Sequence, residues 1–261
     1  YGDHRDLHSF PTRRSSDLMA LLLRCLHHRR CGRAFLDYVE FFCGVGNLSR
    51  AAIRAGLRGV SLDKLLRGSH DVMESAGLRL WLLAITATKR KALVHLGVPC
   101  SSFVVMCKAQ SCRYETNDYL GDENRWFVME GNILADISAL LLLLVFLLEC
   151  YDSLEQPLNS VLPATPLMRS VLLFIQSHRT VTYHFQFGGP TLKPLQLWSS
   201  RAFMSRMERD RPVGLVGADE DEELVQRGPD GAFTGHKARL VASQAYTLAF
   251  GRCLIEALMD E

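Results

Sequence analysis

The chain lacks a hydrophobic run long enough to cross a bilayer, and it lacks a large excess of either charge. Its longest uncharged apolar run, 139–148, has about half the length that a membrane-spanning helix needs. Thirty basic and 28 acidic residues leave a formal net charge of +2, whereas a nucleic-acid-binding surface usually shows clustered basic charge. We therefore expect no membrane partner and read the run as a buried helix. Overall charge does not by itself indicate a nucleic-acid partner.

The eight cysteines lack the spacing of a disulfide framework, and no two close pairs have the spacing of metal ligands. We therefore predict no metal site and a set of reduced thiols. Reduced thiols are typical of an intracellular protein, and the nucleus is one such location. The apolar part of 19–26 is too short for a signal peptide.

The first segment of the chain, Tyr1–Leu18, resembles the conceptual translation of a sequencing adapter. We expect it to be an artefactual, non-native segment and exclude it from fold reasoning. The remaining stretch, 19–261, is long enough for a single α/β domain with a sizeable apolar core. Within it, 201–235 is polar, carries an acidic run and several glycines, and is predicted to be an insertion or loop.

Predicted strands and helices alternate along the chain, as judged from apolar periodicity and helix-ending residues. In chain order they are a strand at 34–42, a helix at 48–55, a strand at 59–62, a helix after Asp71, a strand at 92–98, a helix at 132–150, a strand at 153–156, a helix at 167–177, strands at 180–187 and 195–199, and a helix at 238–258. The alternation predicts an α/β fold with a doubly wound, mostly parallel sheet covered by helices on both faces.

A glycine-rich turn follows the first predicted strand. Gly44 and Gly46 allow a sharp turn and a close approach to a ligand, and a helix that starts at Asn47 would point N–H groups at it. Asp63 ends the next strand, where a carboxylate can accept hydrogen bonds from ribose hydroxyls. The alternative is a turn that only packs strand against helix. An NAD-type oxidoreductase would need a third glycine and a proton-transfer histidine near this edge, and neither is evident.

Two reactive side chains are predicted at the same edge of the sheet. Cys100 follows Pro99 after one strand and Glu155 closes a later one, so both would lie near the glycine turn. A few per cent of a free thiol with a pKa of about 8.5 is thiolate at neutral pH. A partly desolvated carboxyl can donate a proton. The alternatives are a cysteine that is a small buried side chain and a glutamate that faces water.

Three motifs in this order resemble those of the cytosine-5 DNA methyltransferases. They are the glycine turn 42–46 with Glu40 before it, the run 99–103 around the cysteine, and the run 155–157 that begins with the glutamate. The resemblance covers about 34–200. It implies a Rossmann-like S-adenosylmethionine-dependent methyltransferase fold for the single domain at 19–261. It also implies S-adenosyl-L-methionine as cofactor and a nucleic acid, DNA or RNA, as substrate.

The resemblance also implies roles for single residues. Cys100 would add to carbon 6 of cytosine, Glu155 would protonate or hydrogen-bond ring nitrogen 3, and Lys193 would replace an arginine that contacts the base. A base in a duplex would first be flipped out of the stack. Asp71 could equally be a helix N-cap. The residues with implied cofactor contacts are Phe42, Gly44, Gly46, Asn47, Asp63, Asp71 and Pro99.

The chain departs from the family pattern in the later motifs. Gln156 and Pro157 replace an asparagine and a valine, and Leu195 occupies the position of a second arginine. Only 200–236 is available for target recognition, and its acidic middle is unsuited to a phosphate backbone. We therefore expect a target recognition domain that is minimal or absent, with a partner protein as one source of recognition. The alternative function is a catalytically inactive protein that binds cofactor or partners.

Overall fold

The computed structural model describes residues 34–212, 225–227, 233–235 and 244–261. The strands are β1 (Leu36–Phe41), β2 (Gly59–Leu62), β3 (Thr88–Leu96), β4 (Tyr151–Pro157), β5 (His178–Tyr183), β6 (Pro194–Ser199), β7 (Val225–Arg227) and β8 (Phe233–Gly235). The α-helices are α1 (Asn47–Arg54), α2 (Ser75–Thr86), α3 (Lys108–Ser111), α4 (Trp126–Leu147), α5 (Pro166–Phe174) and α6 (Leu248–Met259). Short 3-10 helices lie at Gly68–His70, Val105–Cys107, Glu115–Asn117, Leu162–Ala164, His184–Phe187 and Ala202–Met207.

Six strands form one mixed sheet in the order β2-β1-β3-β4-β6-β5. The first four of these are parallel to one another, and β6 runs antiparallel to both of its neighbours. Strands β7 and β8 form a separate antiparallel pair. The predicted α/β class with a mostly parallel sheet is therefore confirmed.

The direction in which the chain crosses the sheet reverses between β1 and β3. From β1 the chain passes outward to β2, and it then returns across β1 to place β3 on the other side. The helix after β1 packs on one face of the sheet and the long helix after β3 packs on the other, so the loops that leave these two strands diverge at the carboxyl edge. Such a switch point is where open α/β sheets bind their ligands.

Two apolar cores cover the two faces of the sheet. One core joins the sheet to α2, α4 and α5 and includes Trp81 and Leu142. The other joins it to α1 and α6 and includes Leu48 and Leu254. Burial of each such large side chain contributes about 1.5–3 kcal/mol to folding. Helices therefore pack on both faces and leave the carboxyl edge accessible.

Helix α4 differs from its prediction at both ends, since it begins at Trp126 instead of 132 and ends at Leu147 instead of 150. The polar residues just before it form a turn in which Asp122 accepts the N–H of Asn124. In the described part of the chain, α4 is the one helix long and apolar enough to cross a membrane, with a mean hydropathy of 1.9. Because it packs against β4 and α5, and 56% of that apolar window is buried, the core accounts for its composition.

The last helix and the predicted polar insertion also differ from expectation. Helix α6 starts at Leu248, because the Thr247 hydroxyl caps it by accepting the N–H of Phe250 (3.0 Å). The helix was predicted from residue 238, and the first part of that prediction, 238–243, lies outside the described residues. At the beginning of the stretch 201–235, the 3-10 helix Ala202–Met207 buries Phe203 in the core on the α1 and α6 side. That helix therefore belongs to the packed domain.

Candidate active site

The turn after β1 opens onto free space at the switch point. Gly44 and Gly46 have positive φ angles of 53° and 69°, which strongly favour glycine. A β-carbon at either position would meet no heavy atom of the described residues within 4 Å. Helix α1 starts at Asn47, as predicted, so its first N–H groups lie beside this space.

Asp63 connects the glycine turn to the end of β2. Its Oδ2 accepts the N–H of Gly44 (2.9 Å), and its Oδ1 accepts the N–H of Leu65 (2.8 Å). Each carboxylate oxygen can accept a further hydrogen bond. The carboxylate can therefore brace the turn and still accept ribose hydroxyls, and the bracing contact was not part of the sequence prediction.

Glu40 is completely buried beneath the turn. Its Oε2 accepts the backbone N–H of Ser49 (2.9 Å) and also the Ser49 hydroxyl, which in turn accepts a hydrogen bond from Ser61. Its Oε1 is buried and has no hydrogen-bond partner among the described residues. Burial, only partly offset by the bonds from Ser49, raises the pKa of Glu40 to about 7.

Phe42 and Asp71 border the same edge. The Phe42 ring meets Trp81 edge-on, with ring centroids 4.7 Å apart. Asp71 accepts the N–H of Met73 (3.0 Å) through Oδ1 and so braces the turn before α2. The N-cap position of α2 is Glu74, so the N-cap alternative for Asp71 is wrong.

Cys100 lies in the loop after β3, on the other side of the switch point. Pro99 is exposed and Cys100 is half-buried, and the Cys100 carbonyl accepts the N–H of Phe103 (2.9 Å) to close a turn. Burial and the negative charge of Glu155 raise the pKa of the Cys100 thiol to about 11, against the opposing effect of Lys193. The thiol is therefore protonated at neutral pH and needs a proton acceptor to react.

Glu155 and Lys193 lie at the same edge. Glu155 is 6% exposed on β4, the strand adjacent to β3, and its Oε2 accepts the hydroxyl of Tyr246 (2.8 Å). Its Oε1 is buried without a partner in the part of the chain that the structure describes. Burial raises the pKa of Glu155, whereas Lys193 and Tyr246 act in the opposite direction. Cys100 follows β3, the parallel neighbour of β4, and Lys193 precedes β6, whose Leu195 pairs with Pro157 at the end of β4. The three predicted catalytic residues therefore lie at one edge of the sheet.

Arg113 is a residue that sequence reasoning missed. Its buried guanidinium lies 4.0 Å from the Phe103 ring centroid and donates to both the carbonyl and the hydroxyl of Ser102, two positions after Cys100. Burial lowers its pKa to about 10, so it remains charged at neutral pH. Its other acceptors are the carbonyls of Tyr119, Leu120 and Val128 and the side chain of Asn132. Arg113 therefore fixes the Cys100 loop against the start of α4, and no local pattern signals this role.

Gln156 also has a positioning role that its sequence position did not indicate. Its Nε2 donates to the carbonyl of Val98 (2.6 Å), and its Oε1 accepts the hydroxyl of Ser160 (2.7 Å). Val98 directly precedes Pro99 and Cys100. The residue that departs from the family motif therefore holds the Cys100 loop in place.

A buried histidine that the sequence analysis did not single out lies near the carboxyl edge. His95 is the penultimate residue of β3, is completely buried, and hydrogen-bonds Ser153 and Tyr246. Burial lowers its pKa to about 3, so the ring is neutral. His95 interrupts the apolar run 92–98, and this interruption is the signal that could have drawn attention to it.

The arginines at the start of the predicted target recognition stretch are engaged within the chain. Arg206 pairs with Asp260 (3.0 Å), and Arg209 lies 5.6 Å from the centroid of the Phe187 ring. Leu195, at the position of the family's second arginine, is buried in β6. The acidic middle, 219–223, lies outside the described residues. The described part of this stretch therefore adds little to a phosphate-binding surface.

No family model matches the chain, and no curated protein matches it. Within the described ranges, no group of three or more His, Cys, Asp or Glu side chains could hold a metal ion. The functional conclusion therefore depends on the geometry of the site and on the motif resemblance.

Proposed function

We propose that this chain is an S-adenosylmethionine-dependent methyltransferase that modifies carbon 5 of cytosine in DNA or RNA through a covalent adduct with Cys100. The observation that carries the proposal is the meeting of Cys100, Glu155 and Lys193 at one sheet edge, across the switch point from the glycine turn. The six-stranded sheet with helices on both faces is compatible with a Rossmann-like methyltransferase fold.

The residues around the glycine turn fit an S-adenosylmethionine molecule. Gly44 and Gly46 border open space that side chains would fill, and Asp63 keeps acceptor capacity for two ribose hydroxyls. Phe42 offers a partly exposed ring, and Glu40 holds one buried, unpaired oxygen beneath the turn in the described structure. When bound, S-adenosylmethionine supplies the methyl group that carbon 5 accepts.

The reactive residues form a pair that shares one proton. A proton that moves from the Cys100 thiol to the Glu155 carboxylate produces a thiolate and a carboxylic acid without a change in total charge. The thiolate forms a bond to carbon 6 of the ring, and Glu155 donates its proton to nitrogen 3. Lys193 stabilises the thiolate by its opposite charge. After carbon 5 has taken the methyl group, water accepts the carbon-5 proton and the sulfur–carbon bond breaks, so that Cys100 leaves as a thiolate. Nitrogen 3 then returns its proton to Glu155.

An unpaired cytosine is the favoured substrate of this site. A cytosine must leave its stack to reach a half-buried thiol, and this costs least in a single strand or a loop. Arg201, Arg206 and Arg209 interact within the chain, which favours recognition through the unpaired base or through a partner protein.

Methyl transfer from a labelled donor, followed by nucleoside analysis, tests this function. Single-stranded DNA, duplex DNA and RNA form separate arms, and Cys100→Ser is compared with the matched control Cys112→Ser. We expect 5-methylcytosine in at least one arm, its loss in Cys100→Ser, and its retention in Cys112→Ser. Cofactor binding without a methylated nucleoside in any arm would instead support the inactive, partner-binding alternative.

A further inference from the structure

A row of buried polar side chains crosses the sheet beneath the carboxyl edge. His95 on β3 lies in register with Glu40 on β1 and with Ser153 on β4, and all three are completely buried. Residues in register share a face of the sheet, and Glu155 lies two positions after Ser153 on that face. The row therefore leads from the core to the proposed acid.

The row ends in a continuous chain of hydrogen bonds that passes through Tyr246. Ser153 Oγ lies 2.9 Å from His95 Nδ1, His95 Nε2 lies 3.2 Å from the Tyr246 hydroxyl, and that hydroxyl donates to Glu155 Oε2 at 2.8 Å. A tyrosine hydroxyl has one hydrogen, so Tyr246 must accept from His95 Nε2. His95 then accepts the Ser153 hydroxyl at Nδ1. The donor of each hydrogen bond in this series is thus defined, and a neutral His95 ring with its proton on Nε2 fits the pattern.

The surroundings of Tyr246 fix the position of its hydroxyl. Its ring stacks on Phe250 with centroids 4.8 Å apart, and its backbone carbonyl accepts the side chain of Asn47 (2.7 Å). A β-carbon at Gly97 would lie 2.7 Å from the hydroxyl, so glycine makes the close approach to β3 feasible. Tyr246 is therefore held by packing as well as by its hydrogen bonds.

The hydrogen bond from Tyr246 distinguishes the two oxygens of Glu155. Because Oε2 already accepts the hydroxyl, a proton on the carboxyl is best placed on Oε1, which has no partner among the described residues. We propose that Tyr246, held by His95 and Ser153, is the positioning residue that makes Oε1 the proton-donating oxygen of Glu155. This inference rests on the proposed methyltransferase function.

Tyr246→Phe tests the inference because it removes the hydroxyl and keeps the stacked ring. We expect the rate of covalent adduct formation with a 5-fluorocytosine oligonucleotide to fall about 10- to 100-fold at saturating cofactor. The dissociation constant of S-adenosylmethionine should change less than about threefold. Tyr151→Phe is the matched control, since Tyr151 lies on β4 and stacks on Phe203, and we expect its rate to equal that of the unmodified chain.

The pH profile separates positioning from a simple effect on acidity. The Tyr246 hydroxyl lowers the pKa of Glu155, so its removal should raise that pKa. If the hydroxyl only tuned acidity, the profile of Tyr246→Phe would shift to higher pH and recover its full plateau. We expect the plateau itself to remain lower, and Glu155→Gln with Tyr246→Phe to react no more slowly than Glu155→Gln alone.

Three results for Tyr246→Phe would overturn the inference. They are an unchanged rate of adduct formation, a pH profile that recovers the full plateau rate at higher pH, and a loss of cofactor affinity as large as the loss of rate. Absence of adduct in the unmodified chain would instead overturn the proposed function. In that case nitrogen NMR of the His95 ring tests the hydrogen-bond chain alone. We expect a neutral ring with its proton on Nε2, and a proton on Nδ1 would contradict the proposed series of hydrogen bonds.

Discussion

The two halves of the candidate site are built in different ways. The half that we propose binds the cofactor, the cofactor half, comes from one contiguous β1-α1-β2 unit, and its carboxylate Asp63 accepts backbone N–H groups. The half that we propose acts on the nucleobase, the base half, joins the loop after β3, strand β4 and the segment before α6. Its central contact links Glu155 to Tyr246, 91 residues apart. The glycine turn is held mainly by residues that are close to it in the chain. Glu155, which is held by residues distant in the chain, is a buried carboxyl with a raised pKa and one oxygen without a partner among the described residues.

This contrast has an experimental consequence. Substitutions in the base half should reduce chemistry and leave cofactor binding intact, whereas substitutions in the cofactor half should do the reverse. A variant that changed both properties equally would indicate that the two halves do not act separately.

The largest effect is expected for Glu155→Gln, which keeps the shape of the side chain and removes its acid. Methyl transfer should fall about 10²- to 10⁴-fold, because the variant has no proton to donate to the ring. Cofactor affinity, measured by calorimetry, should change little. Glu149→Gln is a matched surface control, since Glu149 is exposed and pairs with Arg90. A variant that retained most activity would remove Glu155 from the mechanism.

The pH dependence gives a second readout of the same pair. The form with one shared proton exists above the raised pKa of Glu155 and below the pKa of Cys100, about 11. The rate should therefore rise with pH through the pKa of Glu155 and reach a plateau that ends only near that upper value. Glu155→Gln should lack the rising limb that belongs to the carboxyl, and an unchanged limb would assign it to another group.

Asp63→Ala addresses the cofactor half. The variant loses the acceptor for Gly44 N–H and the proposed acceptor for the ribose, so the dissociation constant of S-adenosylmethionine should rise about 10- to 100-fold. At saturating cofactor the rate should recover to within about threefold. Asp37→Ala provides the comparison, since Asp37 is a partly exposed residue near the start of β1 that pairs with Lys89. A rate that stayed low at saturation would contradict the separation of the two halves.

Gln156→Ala tests the contact that holds the Cys100 loop. It leaves the Val98 carbonyl and the Ser160 hydroxyl without this partner, which should cost about 1–3 kcal/mol of unfolding free energy in urea titrations. Adduct formation should fall about tenfold because the Cys100 loop loses a fixed contact. The account of Gln156 fails if stability falls while the adduct rate does not.

The last prediction concerns stability alone and involves Glu40, whose pKa rises from its ordinary value of 4.5 to about 7 on folding. A raised carboxyl pKa stabilises the fold at low pH, and this contribution is lost as pH rises through about 7. Between pH 4.5 and pH 7, the free energy of unfolding of the unmodified chain should therefore fall by up to about 1.4 kcal/mol per pH unit relative to that of Glu40→Gln. Urea unfolding at pH 5 and pH 7 measures the difference, and parallel stability profiles for the two proteins would contradict the assignment.

Sequence reasoning was most successful where partners are close in the chain. The turn at Gly44 and Gly46, the start of α1 at Asn47 and the strand that ends before Asp63 follow from local periodicity and glycine placement. The second role of Asp63, as the acceptor for Gly44 N–H, depends on the pairing of β1 with β2 and has no local signature.

The base half was predictable only in part. Cys100 and Glu155 could be named from motif order, but the hydroxyl that selects between the oxygens of Glu155 belongs to Tyr246 in a distant segment. Arg113 reaches its acceptors through the folded course of a polar loop, which composition does not predict. The start of α4 was misplaced because the polar residues near Glu130 continue the helix beyond its apolar part.

The most direct measurement is covalent trapping followed by peptide mapping. The protein is incubated with S-adenosylmethionine and DNA or RNA that contains 5-fluorocytosine, and the product is digested and analysed by mass spectrometry. We expect a methylated nucleotide bound to the peptide that contains Cys100, and no such product from Cys100→Ser. Cofactor binding without any adduct, or an adduct that persists in Cys100→Ser, would contradict the assignment of Cys100 as the nucleophile.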